Sequence, residues 1–195
     1  MTLTVRKIIL IAITLLLGAS LITVYDGNFP LFINYFTHTG NLMTFFLLVG
    51  VLLGYIPEKH LLFGTMIGLV INLVYINLLI DNFEIVADIL KSGWEYTVLH
   101  YLAPYVLIAD FIFGLKEAMP SYRTLLIYLW LPVTYVVYAF IYGSATGEYA
   151  YFFFNVPETG ITGVISYVLA IFVLYLGIGS LLIYAKGWAQ KKRLH

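Results

Sequence analysis

Charged side chains divide this sequence into long uncharged runs, and those runs restrict its possible folds more than any other feature. Five runs of 18 to 31 residues carry no charge, and a sixth, of 20 residues, contains only Asp110. An α-helix needs about 20 apolar residues to cross the roughly 30 Å hydrocarbon core of a bilayer. Charged residues make up only 10% of the chain, against about 25% in a soluble domain. An ordinary soluble globule is therefore excluded.

The runs predict an all-α, polytopic membrane protein whose residues 1–195 form a single transmembrane domain. The chain offers six transmembrane helices, expected near 8–25, 34–55, 61–80, 98–115, 122–142 and 161–185. The first run could instead be a cleaved signal peptide, since two basic residues precede it and small residues lie near its end. However, it continues past those small residues and is long enough to span. We therefore interpret it as a transmembrane helix.

The basic residues predict the orientation. With the N-terminus inside, nine of the ten lysines and arginines fall on one side and only Lys91 on the other. The positive-inside rule then places both termini in the cytoplasm of a multi-pass protein of the cell membrane. The net charge of zero does not favour nucleic acid as a partner. The absence of cysteine excludes disulfides and thiolate metal sites, and we expect neither a cofactor nor a metal.

Two outer connections have patterns of their own. Residues 82–97 place apolar side chains near helical spacing, which predicts a short helix lying in the membrane interface. The other connection is rich in aromatic residues, which is typical of a belt at the level of the lipid headgroups. Alternatively, its rings form a lid or lipid-entry rim over a site below. Its members are Tyr149, Tyr151, Phe152, Phe153 and Phe154, followed by Asn155.

Polar residues within the second run predict a cleft. On one continuous helix, Asn34, Thr37, Asn41 and Thr44 would lie within an arc of about 80°, above an apolar lower half. This stripe predicts a polar cleft that opens to the outside and closes at mid-membrane. Other spans offer polar groups as well: His100 at a depth similar to that of Thr37, and a tyrosine face made of Tyr128, Tyr135, Tyr138 and Tyr142.

Three further residues within the runs need polar partners. Asp110 is costly near the centre of a span and must meet a polar group of another span or a cation of an inner loop. About 15 Å of helix separates it from His100, so it cannot orient that imidazole directly. Pro104 and Pro132 each free a backbone carbonyl that a neighbouring hydroxyl or a water must satisfy.

An ordered set of residues in four regions carries a resemblance to a known family. The set comprises Tyr35, Phe36, Thr37, His38, Thr39, Gly40, Asn41 and Leu42, then His100, Pro104 and Asp110, then Pro132 and Tyr135, and finally Gly143, Gly147, Tyr149, Tyr151, Phe153 and Asn155. Their order and spacing resemble the six-span family that includes the androgen-induced-gene protein, the androgen-dependent TFPI-regulating protein and their bacterial relatives. The resemblance covers residues from about 34 to 156.

The resemblance implies an intramembrane threonine hydrolase that cleaves esters of hydroxylated fatty acids, with Thr37 as nucleophile and His100 as its partner. The chain departs from the bacterial branch at Gly40, where those relatives usually have serine. A threonine hydroxyl needs a base within hydrogen-bond reach, which the shared depth of the two residues allows. We interpret Asn41 as a donor to the oxyanion. The remaining candidate residues for binding a membrane lipid or lipid-like ester are Asn34, Tyr135, Tyr138 and Asn155.

Two other functions stay open at this point. A small transporter or lipid-binding protein would use the same cleft without covalent chemistry, although the two halves show no residue-level repeat. Alternatively, His38 and His100 in the outer half would hold a haem or a metal ion, with no carboxylate at a suitable depth to help.

Overall fold

The computed structural model describes residues 3–79, 93–114 and 120–192, and every regular element within those ranges is helical. The helices are α1 (Leu3–Thr23), α2 (Phe29–Asn34), α3 (Phe36–Leu52), α4 (Leu61–Val74), α5 (Trp94–Gly114), α6 (Tyr122–Thr146) and α7 (Val156–Lys192). Single 3₁₀ turns precede α4 and α7, at Glu58–His60 and Phe152–Phe154. The prediction of an all-α fold is confirmed for this part of the chain.

Within the described ranges, five helical segments are long and apolar enough to cross a bilayer. They are α1, α5, α6, α7 and the segment Glu58–Asn77, which contains α4. The sixth apolar helix, α3, has 17 residues and reaches about 26 Å, a few ångströms short of the hydrocarbon thickness. The chain is thus an integral membrane protein. A full sixth span over 34–55 stays a prediction.

Several helices extend beyond the expected spans. α1 begins at Leu3 rather than residue 8, and α7 ends at Lys192 rather than residue 185. Sequence reasoning ended each span at a charge, whereas these helices continue past their charged residues. Of these residues, Arg6 and Lys186 are buried and have polar partners. The interfacial helix expected over 82–97 falls largely outside the described residues, and its last four residues form the first turn of α5.

α4 lies at the centre of the bundle, packed against α3, α5 and α7. Its Leu62, Met66 and Ile67 are fully buried. Glycines allow the close approach: a Cβ on Gly68 would lie 3.2 Å from the backbone of Pro104 in α5. Small residues at such crossings are typical of helix packing in membranes, where van der Waals contact drives association.

One end of the bundle, which we call the basic end, holds a buried network of charges. Arg6 of α1 donates to both carboxylate oxygens of Asp110 in α5, at 2.7 and 2.9 Å, and to Glu58 before α4, at 2.6 Å. Lys186 of α7 donates to the carbonyl of Phe111 at 2.8 Å. The prediction that Asp110 meets a polar group from another span is confirmed. The opposite end, where α3 begins, is called the cleft end.

The second run is not one helix, so the stripe predicted from Asn34 to Thr44 is wrong at its first member. The chain leaves α2 through Tyr35 in an extended conformation (φ −91°, ψ 122°) and restarts as α3. Side chains satisfy the last three carbonyls of α2, which makes the break tolerable in an apolar surrounding. His38 Nδ1 donates to Phe32 (3.0 Å), Thr39 Oγ1 to Ile33 (2.9 Å) and the Tyr135 hydroxyl to Asn34 (2.7 Å).

The carbonyls that Pro104 and Pro132 free are also satisfied by side chains. A proline lacks the N–H that would bond the carbonyl four residues earlier. The sequence predicts a hydroxyl or a water as the hydrogen-bond donor to each carbonyl. In the structure, a hydroxyl donates to one carbonyl and a side-chain amide donates to the other. The Tyr175 hydroxyl donates to Tyr128 (3.2 Å), and the Asn72 amide donates to His100 (2.7 Å).

Candidate functional site

The structure brings Thr37 and His100 together at the cleft end. Thr37 is the second residue of α3, and His100 lies in a π-helical turn, Val98–Leu102, within α5. The Thr37 Oγ1 and His100 Nε2 atoms are 3.5 Å apart. A π-turn carries one residue more than an α-turn and is frequent at functional sites, because it re-aims a side chain. Here that side chain is the imidazole.

The other nitrogen of His100 determines which tautomer faces the threonine. His100 Nδ1 lies 3.0 Å from the backbone carbonyl of Tyr96. A carbonyl oxygen can only accept, so Nδ1 carries the proton in the neutral ring, and Nε2 presents its lone pair to Thr37. The Tyr96 carbonyl thereby takes the orienting role that a carboxylate has in a catalytic triad.

Two tyrosine rings pack against the imidazole. Tyr75 stacks on it with centroids 3.9 Å apart, and Tyr96 lies parallel to it at 5.9 Å. His100 is only 4% exposed as a result. A ring stacked on a tyrosine and bonded at Nδ1 keeps one orientation, which is what a positioned base requires.

A polar cleft of about 380 Å³ opens beside the pair. Its walls come from the α1–α2 connection, the start of α3, the start of α5 and the α6–α7 connection. They include Asp26, Tyr35, Thr37, His38, Tyr96, His100 and Tyr151. The cleft therefore brings polar space, large enough for several waters, to the threonine hydroxyl.

A narrower apolar crevice of about 50 Å³ lies on the other side of Thr37. It runs between α3, α4, α6 and α7, and its walls include Phe36, Ile71, Val74, Phe154, Ile171 and Tyr175. Three residues, Thr37, Tyr75 and Tyr151, line both the cleft and the crevice. The hydroxyl thus lies where a polar space and an apolar space meet.

The aromatic connection packs inwards, so the expectation of a headgroup belt is wrong for most of it. Tyr151, Phe153 and Phe154 are between 2% and 8% exposed and line the crevice, while Phe152 is 47% exposed. The reason is local: at the short 3₁₀ turn these three rings pack into a second apolar cluster with Tyr135, and only Phe152 points away from it. These three side chains line the crevice, and the alternative interpretation, a lid or lipid-entry rim over a site below, stays a prediction.

The N-terminus of α3 offers hydrogen-bond donors at the same place. The residue before this helix, Tyr35, makes no side-chain cap, and the first N–H groups of a helix have no partner within it. The Tyr151 hydroxyl lies against the N–H groups of Phe36 and Thr37 and against the Thr37 side chain. Burial raises the pKa of Tyr151, so its phenol stays protonated. Such a donor set can bind a developing negative charge.

Asn41 does not take the role predicted for it. Its amide nitrogen donates to the carbonyl of Thr37 at 2.8 Å and to that of Leu99 at 3.3 Å. Both amide hydrogens are thereby used, and the residue is 2% exposed. Asn41 therefore joins α3 to α5 rather than donating to an oxyanion, because the carbonyls that it can reach need those hydrogens.

The other predicted binding residues divide into one that lines a cavity and three that do not. Tyr135 lines the crevice while its hydroxyl is bonded to α2. The Tyr138 hydroxyl donates to the Pro30 carbonyl at 2.7 Å and joins α6 to α2, outside both cavities. The Oδ1 atoms of Asn34 and Asn155 are buried without a bond from the described part of the protein, also away from both cavities.

His38 lines the cleft, but its side chain stabilises the break between α2 and α3. Its ring stacks on Phe32 with centroids 4.6 Å apart, and its Nδ1 bonds the same residue's carbonyl. No group of three or more metal-binding side chains occurs within residues 3–79, 93–114 and 120–192. The haem or metal interpretation of His38 and His100 gains no support from this arrangement.

Sequence reasoning did not identify the residues that orient the base. Tyr96 was not singled out, although it precedes His100 by four residues and so shares its helix face. Tyr75, at the end of the helical segment that contains α4, was not singled out either. The signal for Tyr96 was the spacing, whereas the π-turn that aligns these rings leaves no pattern in one sequence.

Comparison of the chain with protein-family models, with curated proteins and with solved structures gives no match.

Proposed function

We propose that the protein is an integral membrane ester hydrolase that uses Thr37 as nucleophile and His100 as general base. The observation that carries the proposal is the contact of these two side chains where the polar cleft meets the apolar crevice. We further propose six membrane crossings with both termini in the cytoplasm of a cell-membrane protein. The basic residues on the cytoplasmic side support that orientation.

The chemistry needs two acyl-transfer steps. Thr37 Oγ1 attacks the ester carbonyl carbon while its proton passes to His100 Nε2. The carbon–oxygen bond to the alcohol then breaks, and His100 returns the proton to the departing alkoxide. Water attacks the acyl-threonine and gives its proton to His100; the bond from the acyl carbon to Thr37 Oγ1 then breaks, and His100 passes the proton to Thr37 Oγ1 as the acid is released. The negative charge in each step forms beside the N–H groups that begin α3 and the Tyr151 hydroxyl.

The two cavities differ in polarity, so each suits a different part of a lipid-like ester. The acyl chain enters the crevice, whose walls are aliphatic and aromatic side chains. The alcohol part and the hydrolytic water occupy the cleft, which contains the carboxylate, imidazole and phenol groups. Access from the outer leaflet follows from placing the cleft end on the side opposite the cytoplasm.

Two alanine substitutions test the proposal. Purified Thr37→Ala and His100→Ala proteins should each lose at least about 10³-fold in kcat for a p-nitrophenyl acyl ester while keeping the thermal transition of the parent. A serine-hydrolase-type phosphonate probe should label the parent on Thr37. Thr134→Ala is the matched control, because this exposed hydroxyl on α6 bonds only backbone carbonyls of its own helix.

Unchanged turnover in either alanine variant would remove the catalytic pair. If no ester is hydrolysed by the parent, while an acyl chain still binds and Val74→Trp in the crevice wall abolishes that binding, the protein is a lipid-binding protein instead. That outcome would favour the non-enzymatic function that the sequence left open.

A further inference from the structure

The charge in the polar cleft is of one sign. Among the described residues that line it, Asp26 is the one carboxylate, and neither lysine nor arginine is present. Asp26 Oδ1 accepts a hydrogen bond from the Asn28 N–H at 3.0 Å, which holds the carboxylate in the α1–α2 connection beside the cleft. His38 and His100 also line the cleft, but no lysine or arginine does among the described residues, so the carboxylate favours a positively charged guest.

Aromatic rings make up much of the remaining wall. Phe32, Tyr35, Tyr96 and Tyr151 all line the cleft, and Tyr35 and Tyr96 are 37% and 41% exposed. The Tyr35 and Tyr151 rings meet nearly at a right angle, 82°, with centroids 6.2 Å apart. An organic ammonium ion is attracted to the faces of aromatic rings, so a cleft lined by several rings and one carboxylate suits such an ion.

We propose that the cleft binds an organic ammonium group carried by the alcohol part of the ester, with Asp26 and the aromatic walls as its recognition surface. This inference rests on the proposed function, because it identifies the class of alcohol that Thr37 would release. The substrate is thus an acyl ester whose alcohol part carries a quaternary or primary ammonium.

The same surface disfavours the substrate that the family resemblance implies. An ester of a hydroxylated fatty acid carries a free carboxylate on its alcohol part. In this cleft the carboxylate would meet Asp26 and phenol rings, with no lysine or arginine among the described lining residues to pair with it. Like charges at short range oppose binding, so the chemistry of the cleft selects the opposite charge.

Three esters with the same dodecanoyl chain test the proposal in the full-length protein. The alcohols are choline, its uncharged isostere 3,3-dimethylbutanol, and a hydroxy acid with a free carboxylate. We expect kcat/KM for the choline ester to exceed that for the isostere by about tenfold, and the carboxylate ester to be slowest. Equal rates for the choline ester and the isostere, or a preference for the carboxylate ester, would overturn the proposal.

A substitution locates the preference. Asp26→Asn should reduce the ratio of kcat/KM between the choline ester and the isostere, whereas the control variant below should keep the ratio of the parent. Glu158→Gln is the matched control, because Glu158 is an exposed carboxylate that begins α7 and does not line the cleft. A loss of the preference in Glu158→Gln as large as in Asp26→Asn would assign it to the general surface charge instead.

Binding to the Thr37→Ala protein separates this proposal from the catalytic one. Dodecyltrimethylammonium should bind more tightly than dodecanol, and Asp26→Asn in the Thr37→Ala protein should remove the difference even if no ester is hydrolysed. Lysophosphatidylcholine carries its cationic group together with a phosphate, and the choline ester carries one without a phosphate. Comparing the binding of these two compounds distinguishes a lipid headgroup from a simple ammonium ester. Equal binding of the ammonium compound and the alcohol would refute the cation site, whatever the outcome for hydrolysis.

Discussion

The basic end and the cleft end both contain polar groups inside an apolar bundle, but the hydrogen bonding of those groups differs between the two ends. At the basic end, Arg6 uses three of its nitrogens on Asp110 and Glu58 at 2.6 to 2.9 Å, and Arg6 and Asp110 are 5% and 4% exposed. At the cleft end, the Thr37–His100 contact is 3.5 Å long and lies between two cavities. One end pairs its charges in short hydrogen bonds, whereas the other places a longer polar contact beside open space.

The difference indicates which end serves stability and which serves a ligand. A buried charge that loses its partner costs far more than the pair contributes, so the basic end tolerates little change. A loosely bonded hydroxyl and imidazole beside open space can exchange their contact for a ligand, and such contacts often shorten only when substrate is bound. We therefore expect substitutions at the basic end to affect unfolding and those at the cleft end to affect turnover.

The largest effect is expected from Arg6→Ala. It leaves the Asp110 carboxylate buried without its bidentate partner, and should lower the free energy of unfolding by about 3–5 kcal/mol. Denaturation of the purified protein in detergent micelles measures this change. Lys7→Ala removes an exposed basic residue next to it in α1 and should shift stability by less than about 0.5 kcal/mol. Equal losses in the two variants would show that the buried pair has no special role.

A smaller effect, confined to turnover, is expected from Tyr151→Phe at the cleft end. The ring still fills the crevice wall, so the thermal transition should change little, while removal of the hydroxyl beside the start of α3 should lower kcat about a hundredfold. Because burial raises the pKa of Tyr151, the parent should lose no activity through ionisation of this phenol between pH 7 and about 10. Unchanged kcat in the phenylalanine variant would exclude the hydroxyl from the reaction.

The sequence predicts features that depend on hydrophobicity and on the cost of polar groups in a bilayer. Long uncharged runs predicted the apolar helices, five of which are long enough to span. The free-energy cost of burying the Asp110 carboxylate predicted a partner from another span, and Arg6 is that partner. The same reasoning required new donors for the carbonyls that Pro104 and Pro132 free. Each of these follows from a rule that acts on one residue or one run, so a single sequence contains enough information.

What the sequence did not predict depends on local backbone geometry. The extended Tyr35 splits the second run, and Asn34 is lost from the polar stripe as a result. The side chains that make this break possible, such as that of Tyr135, come from distant parts of the chain. The π-turn that aims His100 at Thr37 likewise arises from packing between helices, and hydrophobic periodicity carries no record of it.

The smallest effect is expected from Glu58→Gln. This substitution tests whether the exposed and the buried ion pair of the basic end contribute differently to stability. Glu58 binds the third nitrogen of Arg6, but its side chain is 31% exposed, against 3% for Asp110. Water can replace the lost charge at an exposed partner, so the free energy of unfolding should fall by about 1 kcal/mol or less. High salt should abolish this contribution and leave that of Asp110 largely intact, because screening acts mainly on the exposed pair. Asp110→Asn measured beside Glu58→Gln provides the test. If both variants lose similar stability, the network acts as one unit, and solvent exposure does not decide what each carboxylate contributes.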